Sequence, residues 1–296
     1  MTPLILATNL KDYALLDSGN GRKLEKFGPH VVDRPEPQAM WPTHLPQSDW
    51  DKAVAIFTGQ GDDDEGAGAR WQFKGAQPAP WPMEYGKTKF LARFTPFRHM
   101  GFFADQTPHW DFMLEQLKRQ KQPGTEQPKL LNVFGYTGVA SLIAAQAGAH
   151  VTHVDASKKA IGFARESQEL AGLSDKPIRW IVDDALKFVE REARRGNLYD
   201  GILLDPPKFG RGPDGQKWEV FEHLPALLAA TKEILNPKGG FLILNAYAIR
   251  SSFITLHDLT TLTFPKSTLH ESGELVTPEK FRPLRIPTAI FTRLVL

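Results

Sequence analysis

The chain has 296 residues, of which 41% are hydrophobic and 24% charged, an ordinary balance for a protein that buries an apolar core. Its formal net charge of +2 does not by itself indicate a polyanionic partner, and the absence of cysteine excludes disulfides, thiolate metal sites and a cysteine nucleophile. The N-terminus lacks the pattern of a signal peptide, and no segment approaches the ~18 apolar residues of a membrane span, so we expect a cytoplasmic protein.

The first part of the chain, residues 1–98, is rich in proline, glycine and tryptophan and has no long helical period. Residues 13–17 and 22–27 flank the pair Asn20-Gly21, which predicts a β-hairpin around an Asn-Gly turn. Further strands are predicted at 53–57, 70–73 and 90–94, and an exposed acidic loop at 61–68. We therefore expect this part to form a small antiparallel β domain.

From residue 99 to residue 296, apolar strand segments alternate with helical ones. The strands are predicted at 130–134, 151–155, 178–182, 199–204, 241–245, 267–276 and 289–296. The helices are predicted at 108–121, 139–147, 157–170, 185–194, 218–235 and 251–262, with a loop at 123–128. The alternation indicates an α/β fold in which right-handed crossovers build a doubly wound sheet. The sequence thus predicts a domain of residues 1–98 followed by one of residues 99–296.

The first strand of the second domain is predicted to run into a turn that contains Gly135 and Gly138. Ligands of doubly wound sheets bind at the carboxyl ends of the strands, where glycines allow close approach of the backbone. Thr137 in this turn can also donate its hydroxyl. Such turns are common without a ligand, but Asp155 ends the next strand and can accept both hydroxyls of a ribose. Together these features predict a nucleoside-binding crevice, although Asp155 alone also fits an ordinary strand-end acid or a dinucleotide dehydrogenase.

Two features favour an adenosine ligand over a dinucleotide. The turn lacks the full Gly-x-Gly-x-x-Gly pattern that cradles a pyrophosphate. After the third predicted strand, Asp183 and Asp184 precede a helix that is expected to start at Ala185. One of these acids can accept a hydrogen bond from the exocyclic amine of adenine, and the other can cap the helix. We favour Asp184 for the adenine contact, because it directly precedes the helix.

A third motif, Asp205-Pro206-Pro207-Lys208, follows an apolar strand that suits burial on both faces. The two prolines stiffen the backbone and leave carbonyl groups outside the strand ladder. Such a loop can present Asp205 and a main-chain carbonyl to an amine or to a flipped base. Lys208 and Phe209 then suit a phosphate and a base, although a solvated lysine and a core phenylalanine are comparably good interpretations. The glycine-rich segment 210–215 is expected to be a mobile loop that closes over the substrate.

These segments as a set resemble the class I methyltransferases that use S-adenosyl-L-methionine (SAM). The segments are Asn132-Val133-Phe134-Gly135-Tyr136-Thr137-Gly138, Val154-Asp155-Ala156-Ser157, Asp183-Asp184-Ala185 and Asp205-Pro206-Pro207-Lys208-Phe209. The chain is most similar to the branch of large-subunit ribosomal RNA methyltransferases of the RlmI/RlmK type. The segment Gly101-Phe102-Phe103-Ala104-Asp105-Gln106 also resembles the lead-in to the cofactor site of that branch.

The resemblance covers residues 99–296 and implies a Rossmann-like seven-stranded sheet with an antiparallel last strand and SAM over the glycine turn. It requires no metal. The cofactor-binding residues that it implies are Gln106, Phe134, Gly135, Tyr136, Thr137, Gly138, Asp155, Ala156, Ser157, Asp184, Ala185 and Asp205. The implied catalytic residues are Asp205, Pro206 and Lys208.

The chain departs from this family in three ways. Residues 1–98 do not match the PUA RNA-binding domain that many members carry. Covalent methylation of cytosine at C5 needs a cysteine nucleophile, and here the fifth strand ends in Leu244-Asn245-Ala246-Tyr247 within a chain that has no cysteine. Amino-methylating enzymes place an aromatic residue after the second proline, whereas this chain has Lys208 there and Phe209 one residue later, so the motif does not favour N-methylation of adenine.

The sequence therefore predicts a SAM-dependent methyltransferase that acts on a base of ribosomal or other structured RNA without a covalent cysteine intermediate. Catalysis would consist mostly of alignment, with Asp205 orienting or deprotonating the acceptor. A small molecule or a protein is an alternative substrate. An NAD-dependent dehydrogenase on the same fold and a degenerate, non-enzymatic RNA-binding or assembly module are the competing classes. The oligomeric state is open.

Overall fold

The computed structural model describes residues 2–59, 70–121 and 126–296. The acidic segment 61–68, predicted as an exposed loop, lies outside the described residues, as do residues 123–125 of the loop predicted at 123–128.

Within the described residues the chain forms seventeen strands, seven α-helices and one 3-10 helix, Ala104–Gln106. The strands are β1 (Leu4–Ala7), β2 (Tyr13–Gly19), β3 (Arg22–Phe27), β4 (His30–Pro35), β5 (Ala55–Phe57), β6 (Trp71–Phe73), β7 (Trp81–Tyr85), β8 (Thr88–Ala92), β9 (Lys129–Val133), β10 (His150–Asp155), β11 (Ile178–Val182), β12 (Gly201–Leu204), β13 (Phe209–Arg211), β14 (Lys217–Glu219), β15 (Phe241–Ala246), β16 (Leu269–Pro278) and β17 (Arg285–Val295). The helices are α1 (Gln47–Trp50), α2 (Thr107–Gln120), α3 (Val139–Gln146), α4 (Lys158–Leu170), α5 (Ala185–Arg194), α6 (Val220–Ile234) and α7 (Phe253–Thr263). None of the described helices is both long and apolar enough to cross a bilayer.

The chain divides into two compact units whose segments interleave along the sequence. The larger unit comprises Met1–Leu6, Pro108–Glu274 and Ala289–Leu296, and the smaller comprises Ala7–Thr107 and Leu275–Thr288. This division differs from a single boundary at residue 98, because Met1–Leu6 belong to the larger unit and Leu275–Thr288 to the smaller one. The two domains 1–98 and 99–296 stay a prediction.

A large mixed sheet of eight strands has the order β1-β16-β17-β15-β12-β9-β10-β11. Strands β9, β10, β11, β12 and β15 run parallel, and β17 pairs antiparallel to β15. The predicted doubly wound α/β fold and its antiparallel late strand are therefore confirmed. The sheet has one strand more than the seven expected, because the four-residue strand β1, too short for a periodicity signal, joins its edge.

The core of the larger unit follows directly from its apolar strands. Every residue of β12 and of β15 is buried, as expected for strands that are covered on both faces. Helices α5 and α6 contribute Phe188, Leu227 and Leu228 to the same apolar cluster. Strand β9 lies in the middle of the parallel strands, with β10 and β11 on one side and β12 and β15 on the other. The strand order therefore reverses at β9, and the crevice of this sheet lies at the carboxyl ends of β9, β10 and β12.

The smaller unit contains a five-stranded sheet, ordered β2-β3-β4-β5-β6, and the two-stranded ribbon β7-β8. The predicted hairpin is confirmed: Asn20 and Gly21 connect β2 and β3 with φ angles of +53° and +74°, as a type I′ turn requires. Strands β4 and β7 were not predicted from the sequence. The pairing of β4 with β5 is parallel, so the small sheet is antiparallel except at this one pair.

Candidate functional site

The turn between β9 and α3 holds an unusual backbone conformation. Phe134 and Tyr136 have φ angles of +57° and +50°, a left-handed region that costs a non-glycine residue about 1–3 kcal/mol. The turn is closed by the Gly138 N–H, which donates to the Gly135 carbonyl at 3.0 Å, and Gly135 itself donates to the Val154 carbonyl at 3.2 Å. Strain of this kind at the carboxyl end of a parallel strand is typical of a ligand-binding turn.

Both glycines of the turn are fixed by their neighbours. A Cβ on Gly135 would overlap the imidazole of His153 and would lie 2.9 Å from Nδ2 of Asn132. A Cβ on Gly138 would lie 2.9 Å from the ring of Trp180, in a residue whose φ of +76° already disfavours a side chain. The turn is therefore packed without spare room against Asn132, His153 and Trp180.

Three buried polar side chains, Asn132, Ser141 and His153, form a hydrogen-bonded chain, and two of them pack against Gly135 of the turn. Asn132 Nδ2 donates to Ser141 Oγ at 3.0 Å, and the same Oγ lies 3.0 Å from His153 Nδ1. Because the serine oxygen accepts from the asparagine, its proton is available for Nδ1. Burial lowers the pKa of His153 to about 3, so the imidazole is neutral. These three polar residues were not predicted from the sequence, although Asn132 and His153 stand out as polar residues inside the apolar segments of β9 and β10.

Asp155, at the end of β10, is anchored on both carboxylate oxygens. Its Oδ2 accepts from the Tyr136 N–H and its Oδ1 from the Ser157 N–H, each at 2.8 Å. Burial raises the pKa of Asp155, while these two backbone hydrogen bonds act in the opposite direction. Ser157 also caps α4 by accepting from the Ala160 N–H at 3.2 Å. The structure thus brings the carboxylate directly against the glycine turn, with lone pairs left for further donors.

The two acids after β11 have different partners. Asp183 Oδ2 lies 2.6 Å from Nη2 of Arg191, and its Oδ1 accepts from the Asp184 N–H at 2.8 Å. Asp184 Oδ1 caps α5 by accepting from the Lys187 N–H at 3.0 Å. The capping position directly precedes Ala185 and is Asp184, so the acid favoured for the adenine contact is also the one that caps the helix. Which acid contacts adenine stays a prediction.

The Asp-Pro-Pro-Lys loop begins where β12 ends. The Asp205 N–H donates to the Val133 carbonyl at 3.4 Å, and Asp205 Oδ1 accepts from Asn245 Nδ2 at 2.7 Å. The Pro207 carbonyl accepts from Trp218 Nε1 at 2.7 Å. Asp205 is half-buried at the joint carboxyl ends of β9, β12 and β15, which is where the topology predicts a site.

The segment 210–215, predicted as a mobile loop, comprises the end of β13 and the turn that joins it to β14 in a short antiparallel hairpin. Its closure over a substrate stays a prediction. The predicted helix at 218–235 accordingly starts two residues later, at Val220. Strands of three residues carry too little periodicity to be recognised from sequence. Trp218 of β14 packs on Phe134 of the glycine turn with ring centroids 4.8 Å apart, so the hairpin lies beside the crevice.

Two side chains after the prolines face away from the core. Phe209 is 60% exposed, and the Lys208 ammonium lies 5.1 Å from the centroid of its ring. The backbone of Lys208 is fixed, because its carbonyl accepts from the Val220 N–H at 3.0 Å. The interpretation of Phe209 as a core residue is therefore wrong.

The remaining predicted residues fall into two groups. Thr137, Ala156 and Ala185 lie in the larger unit, next to the turn and the acids just described. Gln106 ends the 3-10 helix of the smaller unit, so its contact with a cofactor stays a prediction. Among the described residues, no three His, Asp or Glu side chains come together in a way that could hold a metal ion.

Comparisons with known proteins add to this geometry. No protein-family model matches the chain. The crystal structure of a SAM-dependent methyltransferase from Agrobacterium tumefaciens is 48% identical to it, with a TM-score of 0.92 over 99% of this chain and 94% of that one.

Two curated proteins are similar over shorter stretches. The ribosomal RNA large subunit methyltransferase I of Aeromonas hydrophila is 32% identical over 127 residues, which are 43% of this chain and 30% of that protein. The ribosomal RNA large subunit methyltransferase K/L of Shewanella loihica is 30% identical over 191 residues, which are 63% of this chain and 25% of that protein. The chain thus spans less than a third of the length of these curated relatives.

Proposed function

Since the chain belongs to the family of SAM-dependent methyltransferases, we propose that it methylates a base of ribosomal or other structured RNA. Family membership removes the dehydrogenase alternative. The main structural support for an RNA substrate is the exposed ring of Phe209, which has the Lys208 ammonium over it. Both residues directly follow the Asp205-Pro206-Pro207 segment. The two similar curated proteins, both ribosomal RNA methyltransferases by name, support the same substrate class.

The larger unit offers groups that fit the parts of SAM. The anchored carboxylate of Asp155 suits the two ribose hydroxyls, and the strained turn around Gly135 suits close contact with the backbone. Both Asp183 oxygens have protein partners, whereas only one oxygen of Asp184 is used in capping. We therefore propose that Asp184 accepts the hydrogen bond from the exocyclic amine of adenine. Phe134, Tyr136, Thr137, Gly138, Ala156, Ser157 and Ala185 complete the proposed cofactor set of this unit. The contact of Gln106 with the cofactor stays a prediction.

The bound cofactor would supply an already activated methyl group, so the residues of this chain need only align the acceptor. Asp205 would accept a hydrogen bond from the nucleophile and take its proton. The Pro207 carbonyl is occupied by Trp218, so we assign the main-chain acceptor role to the carbonyl of Pro206. Because the sequence contains no cysteine, a thiolate cannot add covalently to the ring of the base. We therefore assign the acceptor atom as a nitrogen, which needs no such activation.

Phe209 and Lys208 would hold the substrate. Stacking of a base on an exposed aromatic ring contributes about 1–3 kcal/mol and tolerates any base. Lys208 would pair with a phosphate, with Arg211 and Lys217 as further cations on the two paired strands of the hairpin. A ribosomal RNA substrate would be met in the cytoplasm, which we propose as the location of the protein.

The proposed function can be tested by incorporation of a tritiated methyl group from SAM. The acceptors are unmodified large-subunit ribosomal RNA, transfer RNA and a protein extract, each offered separately. We expect label in the ribosomal RNA that ribonuclease removes, and no label with the Asp205→Asn variant. Label confined to the protein extract would contradict the RNA substrate.

A further inference from the structure

A buried amide donates a hydrogen bond to the carboxylate of Asp205. Asn245, at the penultimate position of β15, is 3% exposed, and its Nδ2 lies 2.7 Å from Asp205 Oδ1. An ionised carboxylate can only accept hydrogen bonds, so the amide group that faces it must be the NH₂. The orientation of Asn245 is therefore fixed, with Oδ1 directed away from Asp205.

A buried histidine, His109, lies next to Asn245. His109 of α2 is 1% exposed, and burial lowers its pKa to about 3; the nearby Arg293 acts in the same direction and the Asn245 amide in the opposite one. His109 is therefore neutral at physiological pH. The Arg293 guanidinium is itself engaged, 2.6 Å from Glu271 Oε2 and 4.3 Å from the centroid of the Phe112 ring.

We propose that Asn245 is a positioning residue that holds Asp205 ionised and oriented as the acceptor of a substrate N–H. The proposal deepens the proposed function, on which it rests for the role of Asp205. In the reaction the new N–C bond forms as the C–S bond breaks, the sulfur keeps the electron pair, and the proton of the nitrogen goes to Asp205. A neutral amide donor suits this step, because it stabilises the carboxylate without neutralising it.

The chain offers a matched control at the other end of the same strands. Asn236 Nδ2 donates to Asp200 Oδ1 at 2.7 Å, the same pair of residue types at the same distance. Asp200 directly precedes β12 and Asn236 lies before β15, so this second pair sits at the amino ends of the strands. Asn245→Asp and Asn236→Asp thus make the same chemical change at the two ends of the sheet.

The test measures kcat and KM for the RNA across about pH 6 to 9, together with SAM binding by calorimetry. Two carboxylates in contact share a proton, so the pair in the Asn245→Asp variant titrates at higher pH. We expect kcat near neutral pH to fall about a hundredfold, the rising limb of the pH profile to move upward, and SAM affinity to stay unchanged. Asn236→Asp should change neither kcat nor the profile. A folded Asn245→Asp enzyme with the wild-type profile would overturn the proposal.

Asn245→Ser provides a second variant if the aspartate prevents folding. The shorter hydroxyl cannot reach Asp205 as the amide does, so kcat should fall and the rising limb of the pH profile should move upward by less than in Asn245→Asp. A wild-type kcat in this variant also overturns the proposal.

A substrate-free readout separates this proposal from the RNA assignment. The carboxyl carbon of Asp205 can be followed by carbon-13 NMR over pH, with Asp205→Asn for assignment. Its titration should move to higher pH in Asn245→Asp and stay in place in Asn236→Asp, whatever the substrate is. If it moves but no RNA is methylated, the RNA substrate is wrong and the positioning role stands; an unmoved titration overturns the positioning role.

Discussion

The indole of Trp218 joins two parts of the site: its ring lies 4.8 Å from the ring of Phe134, and its Nε1 donates to the Pro207 carbonyl at 2.7 Å. Phe134 belongs to the glycine turn and Pro207 to the Asp-Pro-Pro-Lys loop. The hairpin that carries Trp218 therefore couples the proposed cofactor site to the proposed acceptor site. A change at this indole should alter catalysis although it touches neither reacting group.

Trp218→Phe keeps an aromatic ring and removes the hydrogen bond to Pro207. A hydrogen bond of this kind contributes about 1 kcal/mol, so we expect kcat to fall about fivefold as the loop loses its anchor. Trp81→Phe is the control, because Trp81 is 5% exposed and its Nε1 has no hydrogen-bond partner among the described residues. Equal kcat values for the two variants, measured by methyl incorporation, would refute the coupling.

Gly135→Ala should abolish SAM binding. The new Cβ would overlap His153 and press on Asn132, so the turn must move away from Asp155. Gly162→Ala is the control: Gly162 lies in α4, its Cβ would meet nothing within 4 Å, and alanine is the better helix former. Calorimetric titration with SAM checks both variants. Micromolar binding by Gly135→Ala would contradict the role of the turn.

Asp184→Asn and Asp183→Asn test which acid contacts adenine. Asparagine still caps a helix, so Asp184→Asn removes charge without removing the cap. We expect SAM binding to weaken about tenfold, the loss of one hydrogen bond to a charged acceptor. Asp183→Asn should lose its ion pair with Arg191 and retain SAM affinity. The reverse pattern of affinities would move the adenine contact to Asp183.

Acid should destabilise the protein through its buried histidines. The pKa values of His109 and His153 are lowered to about 3 by burial, so these rings stay neutral in the folded state. Below about pH 6.5 only the unfolded chain takes up their protons, so stability is retained above that pH and lost as the pH falls toward the folded pKa values.

Each of the two histidines should lower the free energy of unfolding by about 1.4 kcal/mol per pH unit in this window. Urea denaturation at a series of pH values measures the slope. His153→Gln should reduce the slope, whereas replacement of the exposed His150 by glutamine should leave it unchanged. A free energy of unfolding that is constant between about pH 6.5 and 4 would be incompatible with neutral buried rings.

The site residues that could be predicted from the sequence are those that belong to short local motifs. Gly135, Asp155 and Asp184 each stand at the end of a predicted strand, and parallel strands bring such ends together at one edge of the sheet. The pair Asp205–Asn245 was not predictable in this way. Its members are forty residues apart, and nothing in the apolar pattern of β15 indicates which polar group its end will meet.

Short elements were also missed, for a physical reason. Strands β1, β13 and β14 have three or four residues each, and a period of two cannot be established over so few positions. These strands form because they pair with neighbouring strands, and their own residue patterns do not indicate a strand. The exposure of Phe209 follows from this hairpin and was equally out of reach of the sequence.

The most direct test of the central claim is mass spectrometry of the nucleosides from large-subunit ribosomal RNA after incubation with the protein and SAM. The RNA should come from cells that lack the protein, so that its target is unmodified. We expect one nucleoside that gains a methyl group on nitrogen with the wild-type protein and not with Asp205→Asn. A methyl group on C5 of a pyrimidine, or no methylated nucleoside at all, would contradict it.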